Sequence, residues 1–361
     1  MHIRADRDDL ADAFARANRA VGMRPALPIL SGVKCEIKGS DLHITGTDLD
    51  VTIRTAVVVE VMAEGSCVVP SRLVTEAIKK MPAGVVSLKS DGHELEITGR
   101  GPKFAIRELP VDDFPEVPAP DFSNSVDIDG EKFADAVKQV GVAASIDSAR
   151  PVLTGISLEA TETGFDMVAT DSYRLAIRNF DGVTIPQSGL VPARALLQVG
   201  PAIGAPKVQV AIGAREASFG SERGTVTVRL IEGSFPEVRR LIPDAYPIEF
   251  QVNKAVFTEA LGRAGLFAED HIPVRLHLSE AGMEVNVSRQ DVGGEVEHVD
   301  GTYKGEEPEV TIAFNPKYLG DGIAALVGDE VLIQVRDGQK PSVLRGLDEE
   351  DFLYLLMPIR I

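Results

Sequence analysis

Aspartates are the residues of this sequence whose type and spacing could do chemistry. Asp48 and Asp50 form an Asp-x-Asp pair, and Asp171 repeats Asp48 at a distance of 123 residues. Paired carboxylates can bind Mg²⁺, so a metal-dependent enzyme built on these three residues is one interpretation. The other is that Asp48 and Asp171 accept hydrogen bonds inside a turn that follows a strand. The recurrence of Thr-Asp favours this architectural role.

No other catalytic constellation emerges from the sequence. The six histidines do not form a His-Glu-x-x-His motif, and the chain has neither a phosphate-binding P-loop nor a Gly-x-Ser-x-Gly nucleophile motif. The two cysteines, Cys35 and Cys67, are too few for a disulfide framework and lack metal-ligand spacing. We therefore predict no catalytic residue, no metal and no cofactor.

The composition is that of a globular protein with an acidic surface. The chain has 361 residues, which predicts two or three domains, and a net charge of −18, which by itself argues against nucleic acid. Net charge sums over the whole surface, so the position of the cations matters more. The first residues lack the apolar core of a signal peptide, and no apolar run is long enough for a membrane span. We expect a cytoplasmic protein.

The elements that carry these residues recur along the chain. Leu10, Phe14, Ala17 and Val21 have the i, i+4, i+7, i+11 spacing of one apolar helix face, and each copy follows an alternating, strand-like stretch. The first apolar residues of the copies are 123 and 124 residues apart. The other two faces are Phe133, Val137, Val140 and Ala144, and then Phe257, Leu261, Ala264 and Ala268.

A proline-led element repeats in phase with these helices. Pro70, Pro192 and Pro316 are 122 and 124 residues apart, and proline suits the first turn of a helix. Phe114-Pro115-Glu116-Val117 also returns 121 residues later, as Phe235-Pro236-Glu237-Val238. This period is the size of a small domain. We predict an α+β fold of three homologous domains, each with two helices packed on antiparallel sheets, spanning residues 1–121, 122–247 and 248–361.

Cations recur on or beside the predicted helices, whereas acidic residues concentrate in strands and loops. If the helices share one side, that side is much less acidic than the rest and could meet a phosphate backbone without reading sequence. Alternatively these are ordinary solvated helix faces. The candidate DNA-facing cations are Arg24, Arg72, Lys79, Lys138, Arg150 and Arg194.

The C-terminal segment, residues 353–361, is apolar apart from Arg360 and contains Pro358. Such a segment can complete a sheet as its last strand. It can also line a groove for an apolar peptide held in an extended conformation. The residues alone leave both interpretations open.

Several segments resemble the bacterial sliding clamps, the beta subunits of DNA polymerase III, in the right order along the full chain. Ala-Thr-Asp-Ser-Tyr-Arg-Leu-Ala and the terminal Met-Pro-Ile-Arg-Ile are quite specific motifs. The matching segments are 23–30, 45–49, 69–72, 150–155, 169–176, 233–238, 314–319 and 357–361.

The resemblance implies a non-catalytic processivity factor. Two chains would associate head to tail into a six-domain ring, because a heterologous interface that closes makes a ring. The helices would line the pore and meet encircled double-stranded DNA non-specifically, and the protein would act at the nucleoid. Phe104 and Ile106 of one chain would meet Leu266 and Phe267 of the next at the dimer interface.

The same resemblance implies a groove in which short motifs of partner proteins compete. These partners would be the clamp loader, the DNA polymerase III alpha subunit, and other polymerases and repair proteins. The family often has a second Met where this chain has Ile359, so motif preference is expected to differ. The corresponding groove residues are Leu153, Thr170, Ser172, Tyr173, Arg174, Leu175, Pro236, Arg240, Leu241, Tyr318, Ser342, Val343, Leu355, Met357, Pro358, Ile359 and Arg360.

Two alternatives to a replicative clamp stay open at this point. The first is a specialised clamp paralogue devoted to repair or antibiotic tolerance. The second is the metal-dependent enzyme that would use Asp48, Asp50 and Asp171.

Overall fold

The computed structural model describes residues 1–22, 25–268 and 272–360. Within these ranges each third of the chain contains two α-helices, as the repeat predicts. Phe14, Phe133 and Phe257, one from each predicted apolar face, are at most 1% exposed. The helices are α1 Arg7–Ala17, α2 Ser71–Lys79, α3 Gly130–Gly141, α4 Ala193–Ile203, α5 Lys254–Ala264 and α6 Pro316–Ala325.

The strands between these helices are short and pair antiparallel. The first third forms β1 His2–Asp6, β2 Gly32–Lys38, β3 Asp41–Thr47, β4 Val51–Val58, β5 Glu60–Ala63, β6 Ser66–Pro70, β7 Val85–Ser90, β8 Glu94–Thr98 and β9 Lys103–Arg107. The middle third forms β10 Val126–Asp129, β11 Gly155–Ala160, β12 Gly164–Thr170, β13 Arg174–Asp181, β14 Gly189–Pro192, β15 Lys207–Ile212, β16 Glu216–Ser221 and β17 Gly224–Arg229. The last third forms β18 Ile248–Asn253, β19 Val274–Ser279, β20 Gly282–Arg289, β21 Gly293–Val299, β22 Gly301–Gly305, β23 Glu309–Phe314, β24 Glu330–Val335, β25 Ser342–Gly346 and β26 Phe352–Leu356.

The repeated prolines stand at helix starts, but not all at the same position. Pro316 is the first residue of α6, where Asn315 accepts a hydrogen bond from the backbone N–H of Tyr318 at 3.1 Å. Pro70 and Pro192 instead end the preceding strands and occupy the N-cap positions of α2 and α4. The prediction of a first-turn proline was wrong by one residue at these two sites. Proline, which lacks an N–H, is tolerated at the end of a strand as well as in a first turn.

The chain forms two compact units, Met1–Ala134 with Ile185–Leu230, and Asp135–Thr184 with Ile231–Ile361. The middle third of the chain contributes strands to both units. The domain boundaries 1–121, 122–247 and 248–361 therefore stay a prediction from the sequence repeat.

In the first unit, one sheet has the order β5-β1-β7-β8-β9 and a longer one the order β10-β15-β16-β17-β4-β3-β2-β6. Helices α1 and α2 bury Leu10, Phe14, Val74 and Ile78 in a core that both sheets share. The pairing of β17 with β4 joins strands of the middle and first thirds. Because each burial of an aliphatic side chain stabilises by about 1.5–3 kcal/mol, this core holds the helices on the sheets.

In the second unit, strands follow the order β11-β12-β13-β26-β25-β24-β18-β22, and a smaller sheet has the order β21-β20-β19-β23. Strand β26 lies between β13 and β25, so the C-terminal strand is central rather than at an edge. An apolar cluster that includes Val168, Leu175, Val343 and Leu355 covers this junction. No helix among the described residues is long and apolar enough to cross a membrane.

Candidate functional site

The two Thr-Asp motifs form the same turn. Asp171 Oδ1 accepts hydrogen bonds from the N–H groups of Tyr173 and Arg174 at 2.9 and 3.1 Å. Asp48 Oδ1 accepts equivalent bonds from Asp50 and Val51 at 3.1 and 2.7 Å. The predicted architectural role of both aspartates is confirmed, because each carboxylate closes a turn by satisfying two backbone donors.

Each turn contains a residue with left-handed backbone. Ser172 has φ of 82° and Leu49 has φ of 79°, and the N–H of each donates to the hydroxyl of the preceding threonine, Thr170 or Thr47. Left-handed backbone is unfavourable for residues other than glycine, so the threonine and aspartate bonds must hold it in place. Among the described residues, no group of three His, Cys, Asp or Glu side chains is arranged to hold a metal ion.

The second turn positions a buried arginine beside an aromatic pair. Arg174, whose side chain is 8% exposed, donates to Asp171 at 2.9 Å and to Asp321 at 2.7 Å. Its guanidinium carbon lies 4.2 Å from the ring centroid of Tyr318, which stacks at 6.3 Å on Tyr173. The cation–π contact and the two carboxylates hold these side chains in place. We call Arg174, Tyr318 and Tyr173 together the rigid wall.

The charges of this wall are mutually compensated. Burial opposes ionisation of Asp321, yet hydrogen bonds from Lys317 and Arg174 lower the pKa of its carboxyl. Burial raises the pKa of Tyr354, whose hydroxyl donates to the Tyr318 carbonyl oxygen at 2.8 Å. The tyrosine therefore stays neutral and acts as a donor, which fixes the start of α6 against β26.

Three neighbouring strands supply an apolar floor next to this wall. Leu355 of β26 pairs with Leu175 of β13 on one side and Val343 of β25 on the other. Directly opposed residues of antiparallel strands project to the same face, so these side chains are contiguous. Leu241 and Met357 are partly buried against the same cluster.

The segment that carries Pro236, Arg240 and Leu241 is tied down by an arginine that the sequence analysis did not single out. Arg239 donates to Glu159 at 3.2 Å and also to Asp166. Burial opposes the charge of this guanidinium, but Asp166 and Glu159 raise its pKa above the usual value. Arg239 thereby anchors the segment on β11 and β12, and leaves Pro236 and Arg240 exposed.

The C-terminal tail passes the second turn directly after β26 and then reaches β23. The N–H of Met357 donates to the Tyr173 carbonyl oxygen at 2.9 Å, and that of Ile359 donates to Ala313 at 2.8 Å. Met357, Pro358 and Ile359 are half-buried, whereas Tyr173 is 58% exposed. The first interpretation of the apolar terminus is therefore confirmed, because β26 completes a sheet. A peptide groove lined by the residues after β26 stays a prediction.

The structure thus brings most of the predicted groove residues together in the second unit. We call the surface bounded by Tyr173, Arg174, Tyr318, Leu355 and Met357 the tail groove. Val343 is buried in its floor. Leu153 is buried as well, and so is Ser342, which precedes Val343 on β25 and therefore projects to the opposite face of the sheet; its hydroxyl has no hydrogen-bond partner among the described residues. Asp321 was missed, although its i+4 spacing from Lys317 on a helix was a readable signal of an ion pair.

Of the five candidate DNA-facing cations that the structure describes, all but Arg150 lie on helices. In the first unit Arg72 and Lys79 of α2 line an open pocket of about 450 Å³ with Arg19. Arg19 donates to Gln198 of α4 at 3.2 Å, and Arg194 is exposed on the same helix. Arg24 lies outside the described residues.

Several of these cations have acidic neighbours. Lys79 is 3.6 Å from Glu76, Lys138 is 2.9 Å from Asp135, and Arg150, in a loop of the second unit, is 3.3 Å from Asp147. Neither Arg72 nor Arg194 has a carboxylate within ion-pair distance in the part of the chain that is described. These two arginines are therefore the most available for a phosphate.

The residues predicted at the dimer interface differ in exposure. Phe104 is half-exposed on β9, the outer strand of its sheet. Ile106 of the same strand is 4% exposed, because its side chain packs in the core of its own unit. Leu266 is 80% exposed just after α5, and Phe267 is half-exposed beside Gly293 at the start of outer strand β21.

Comparisons with known proteins agree with this arrangement. The beta sliding clamp of Streptomyces coelicolor is 32% identical, and the beta sliding clamp homolog GriR of Streptomyces muensis is 30% identical; the alignments cover 100% of this chain and at least 99% of each relative. The crystal structure of the DNA polymerase sliding clamp from Bacillus subtilis superposes with a TM-score of 0.93 at 26% identity, and covers 100% of this chain and 99% of that one.

The family comparison accounts for nearly the whole chain. The N-terminal domain of the DNA polymerase III beta subunit matches residues 1–118, the central domain residues 127–237 and the C-terminal domain residues 239–360. The three domains follow one another in the family's order, the predicted α+β architecture is confirmed, and the tail groove is assembled. This chain therefore belongs to the DNA polymerase III beta subunit family, the beta sliding clamps.

Proposed function

We propose that this protein is a DNA sliding clamp that encircles duplex DNA and confers processivity on the replicative polymerase without catalysing a reaction. The tail groove carries the proposal, since it joins a rigid aromatic wall to an apolar floor in a chain of the clamp family. Two of the three aspartates of the alternative enzyme, Asp48 and Asp171, already accept hydrogen bonds from backbone donors. We expect the protein to act in the cytoplasm, at the nucleoid.

The tail groove suits a short, largely apolar peptide. Leu175, Leu355 and Met357 offer apolar surface, and a few well-buried anchor residues usually supply most of the affinity of such a site. Tyr173 and the exposed Arg240 stand at its rim, where they can meet polar parts of the ligand. The clamp loader, the polymerase III alpha subunit, other polymerases and repair proteins are the proposed partners.

A closed ring needs an interface between two copies of the chain. Strands β9 and β21 are outer strands of their sheets, and outer strands present unpaired backbone groups that can pair with another chain. Phe104 on β9, and Leu266 and Phe267 beside β21, would add the apolar contacts. Ile106 would contribute through its backbone, because its side chain is already buried.

A topological experiment tests the ring. The protein is loaded onto nicked circular DNA with its clamp loader and ATP, the circle is cut once, and gel filtration follows the protein. We expect loss of the protein on linearisation, because a ring slides off a free end. Retention on linear DNA would show that binding is by contact and would contradict the proposal. Failure to load with the replicative loader would favour the specialised paralogue.

The contribution of the helix cations is separately measurable. Arg72→Glu with Arg194→Glu is expected to weaken binding to linear duplex and to reduce the slope of log K against log salt by about 2, one unit per phosphate contact. Anisotropy of a labelled duplex over a salt series measures this slope. The matched control is Lys89→Glu with Lys304→Glu, which changes the net charge equally at exposed strand positions. An equal effect in both variants would mean that α2 and α4 have no special role.

A further inference from the structure

A polar row crosses one face of the long sheet of the first unit. Lys34 of β2 pairs with Thr45 of β3, Thr45 pairs with Arg54 of β4, and Arg54 pairs with Thr225 of β17. Because opposed residues of antiparallel strands project to the same side, the four side chains form one continuous line. The preceding residue on β4, Ile53, faces the other side and is buried.

Only some of the hydrogen-bond donors of Arg54, which lies in this row, have partners. Its Nη2 donates to the carbonyl oxygen of Val117 at 2.8 Å and also to that of Pro118. Its Nη1 is buried and has no hydrogen-bond partner among the described residues, and the same holds for the hydroxyl of Thr225 beside it. Leaving a buried charged donor unpaired is unfavourable, so an acceptor oxygen that reached Nη1 would be stabilised.

The electrostatic surroundings of Arg54 also favour binding of an anion. Burial lowers the pKa of its guanidinium, and Glu216 opposes this effect only in part. Glu36, the acidic residue nearest to Lys34 on β2, is 2.9 Å from Lys38, and that contact lowers the pKa of its carboxyl. Glu36 thus interacts first with Lys38 and also with Lys34, whereas Arg54 has no ion-pair partner among the described residues.

These residues line an open pocket of about 510 Å³. Lys34, Thr45 and Arg54 of the polar row form its floor. Its wall is the proline-rich segment 114–118, which contributes Phe114 and Val117 as apolar surface and Glu116 as a further acid. Pockets of a few hundred cubic ångströms with few polar groups are typical of small-ligand sites. The pocket is therefore large enough for an anionic group together with the apolar atoms that carry it.

We propose that this pocket binds an oxyanion, either a carboxylate or a phosphate, with the guanidinium of Arg54 as the principal donor and Lys34 and Thr45 beside it. This binding site goes beyond the proposed clamp function and does not depend on it. The oxyanion comes either from a free phosphate or from an acidic side chain of a peptide. Charge-assisted hydrogen bonds to a guanidinium are short and strong, which suits either source.

Isothermal titration calorimetry of the full chain tests the site at constant ionic strength. The two probes are sodium phosphate and the peptide acetyl-Glu-Glu-Glu-amide, and each is compared with a sodium chloride blank. Saturable binding of at least one probe is expected. Arg54→Gln and Lys34→Gln should each weaken it about tenfold or more, which is the size of one charge-assisted bond. Lys89→Gln, which removes an exposed lysine from another sheet of the same unit, should leave it unchanged.

The two probes distinguish a free phosphate from an acidic peptide as the source of the oxyanion. Binding of phosphate alone supports a free-anion site, and binding of the peptide alone supports a site for an acidic segment. No saturable binding of either probe, or an equal loss in Lys89→Gln, overturns the proposal. Because Arg54 is partly buried, thermal melts accompany each variant; if Arg54→Gln does not fold, the half-exposed Lys34→Gln still decides the result.

Discussion

Replacement of Leu266 and Phe267 by aspartate is expected to leave this clamp monomeric. Leu266 is 80% exposed in the single chain, and Phe267 lies beside Gly293 at the start of outer strand β21. An uncompensated buried charge costs about 3–5 kcal/mol. Association would bury two unpaired carboxylates at each of the two interfaces of the ring, so the dimer dissociation constant should rise at least about a thousandfold. Multi-angle light scattering over a concentration series measures the change.

A matched control for this substitution is Val58→Asp. Val58, 75% exposed at the end of β4, also places a carboxylate on an exposed apolar position, but outside the proposed interface. We expect this variant to stay dimeric. A dimer that persists in the Leu266 and Phe267 variant would place the interface elsewhere on the chain, whereas monomers in both variants would show a general destabilisation.

Removal of the last five residues, 357–361, is expected to abolish binding of partner peptides and to leave the dimer intact. Met357 packs on the apolar cluster and its N–H donates to Tyr173 at 2.9 Å, so the deletion removes one side of the tail groove. Loss of apolar contacts worth about 1.5–3 kcal/mol per buried side chain should weaken binding about a hundredfold or more. Anisotropy of a labelled peptide from the polymerase III alpha subunit measures this affinity.

The deletion is expected to spare the fold, because β26 ends at Leu356 and keeps its pairing with β13 and β25. Met357→Ala offers a milder test and should weaken the same peptide about tenfold through lost apolar contact. Val327→Ala removes a similar apolar surface at a position that is 59% exposed and outside the tail groove. The affinity of this variant for the peptide should therefore be unchanged. Unchanged peptide affinity after the deletion would refute the tail groove as the binding site.

Much of the architecture is readable from the sequence because it is local. The i, i+4, i+7 spacing of apolar residues is a property of one helix face, and Phe14, Phe133 and Phe257 are buried as predicted. The Thr-Asp turns are local too, since Asp48 and Asp171 bond to N–H groups two and three residues further on. The resemblance to sliding clamps then extended these local patterns to a family, which the domain matches confirm.

The sites depend instead on pairings between residues far apart in the chain. Leu175 meets Leu355 because β26 inserts between β13 and β25, and no local preference encodes that strand order. Burial is likewise a tertiary property, as Ile106 shows: its type suits an interface, but its side of the strand faces the core.

The repeat, the helices, the aspartate turns and the clamp family were determined by the sequence itself, through side-chain period and short-range hydrogen bonding. The tertiary structure alone decided which strands are neighbours. It thereby assembled the tail groove, enclosed Arg174 between two carboxylates and a tyrosine ring, and aligned Arg54 with Thr225. The physical reason is that a strand satisfies its backbone groups equally well with many partners, and only packing of the whole core selects among them.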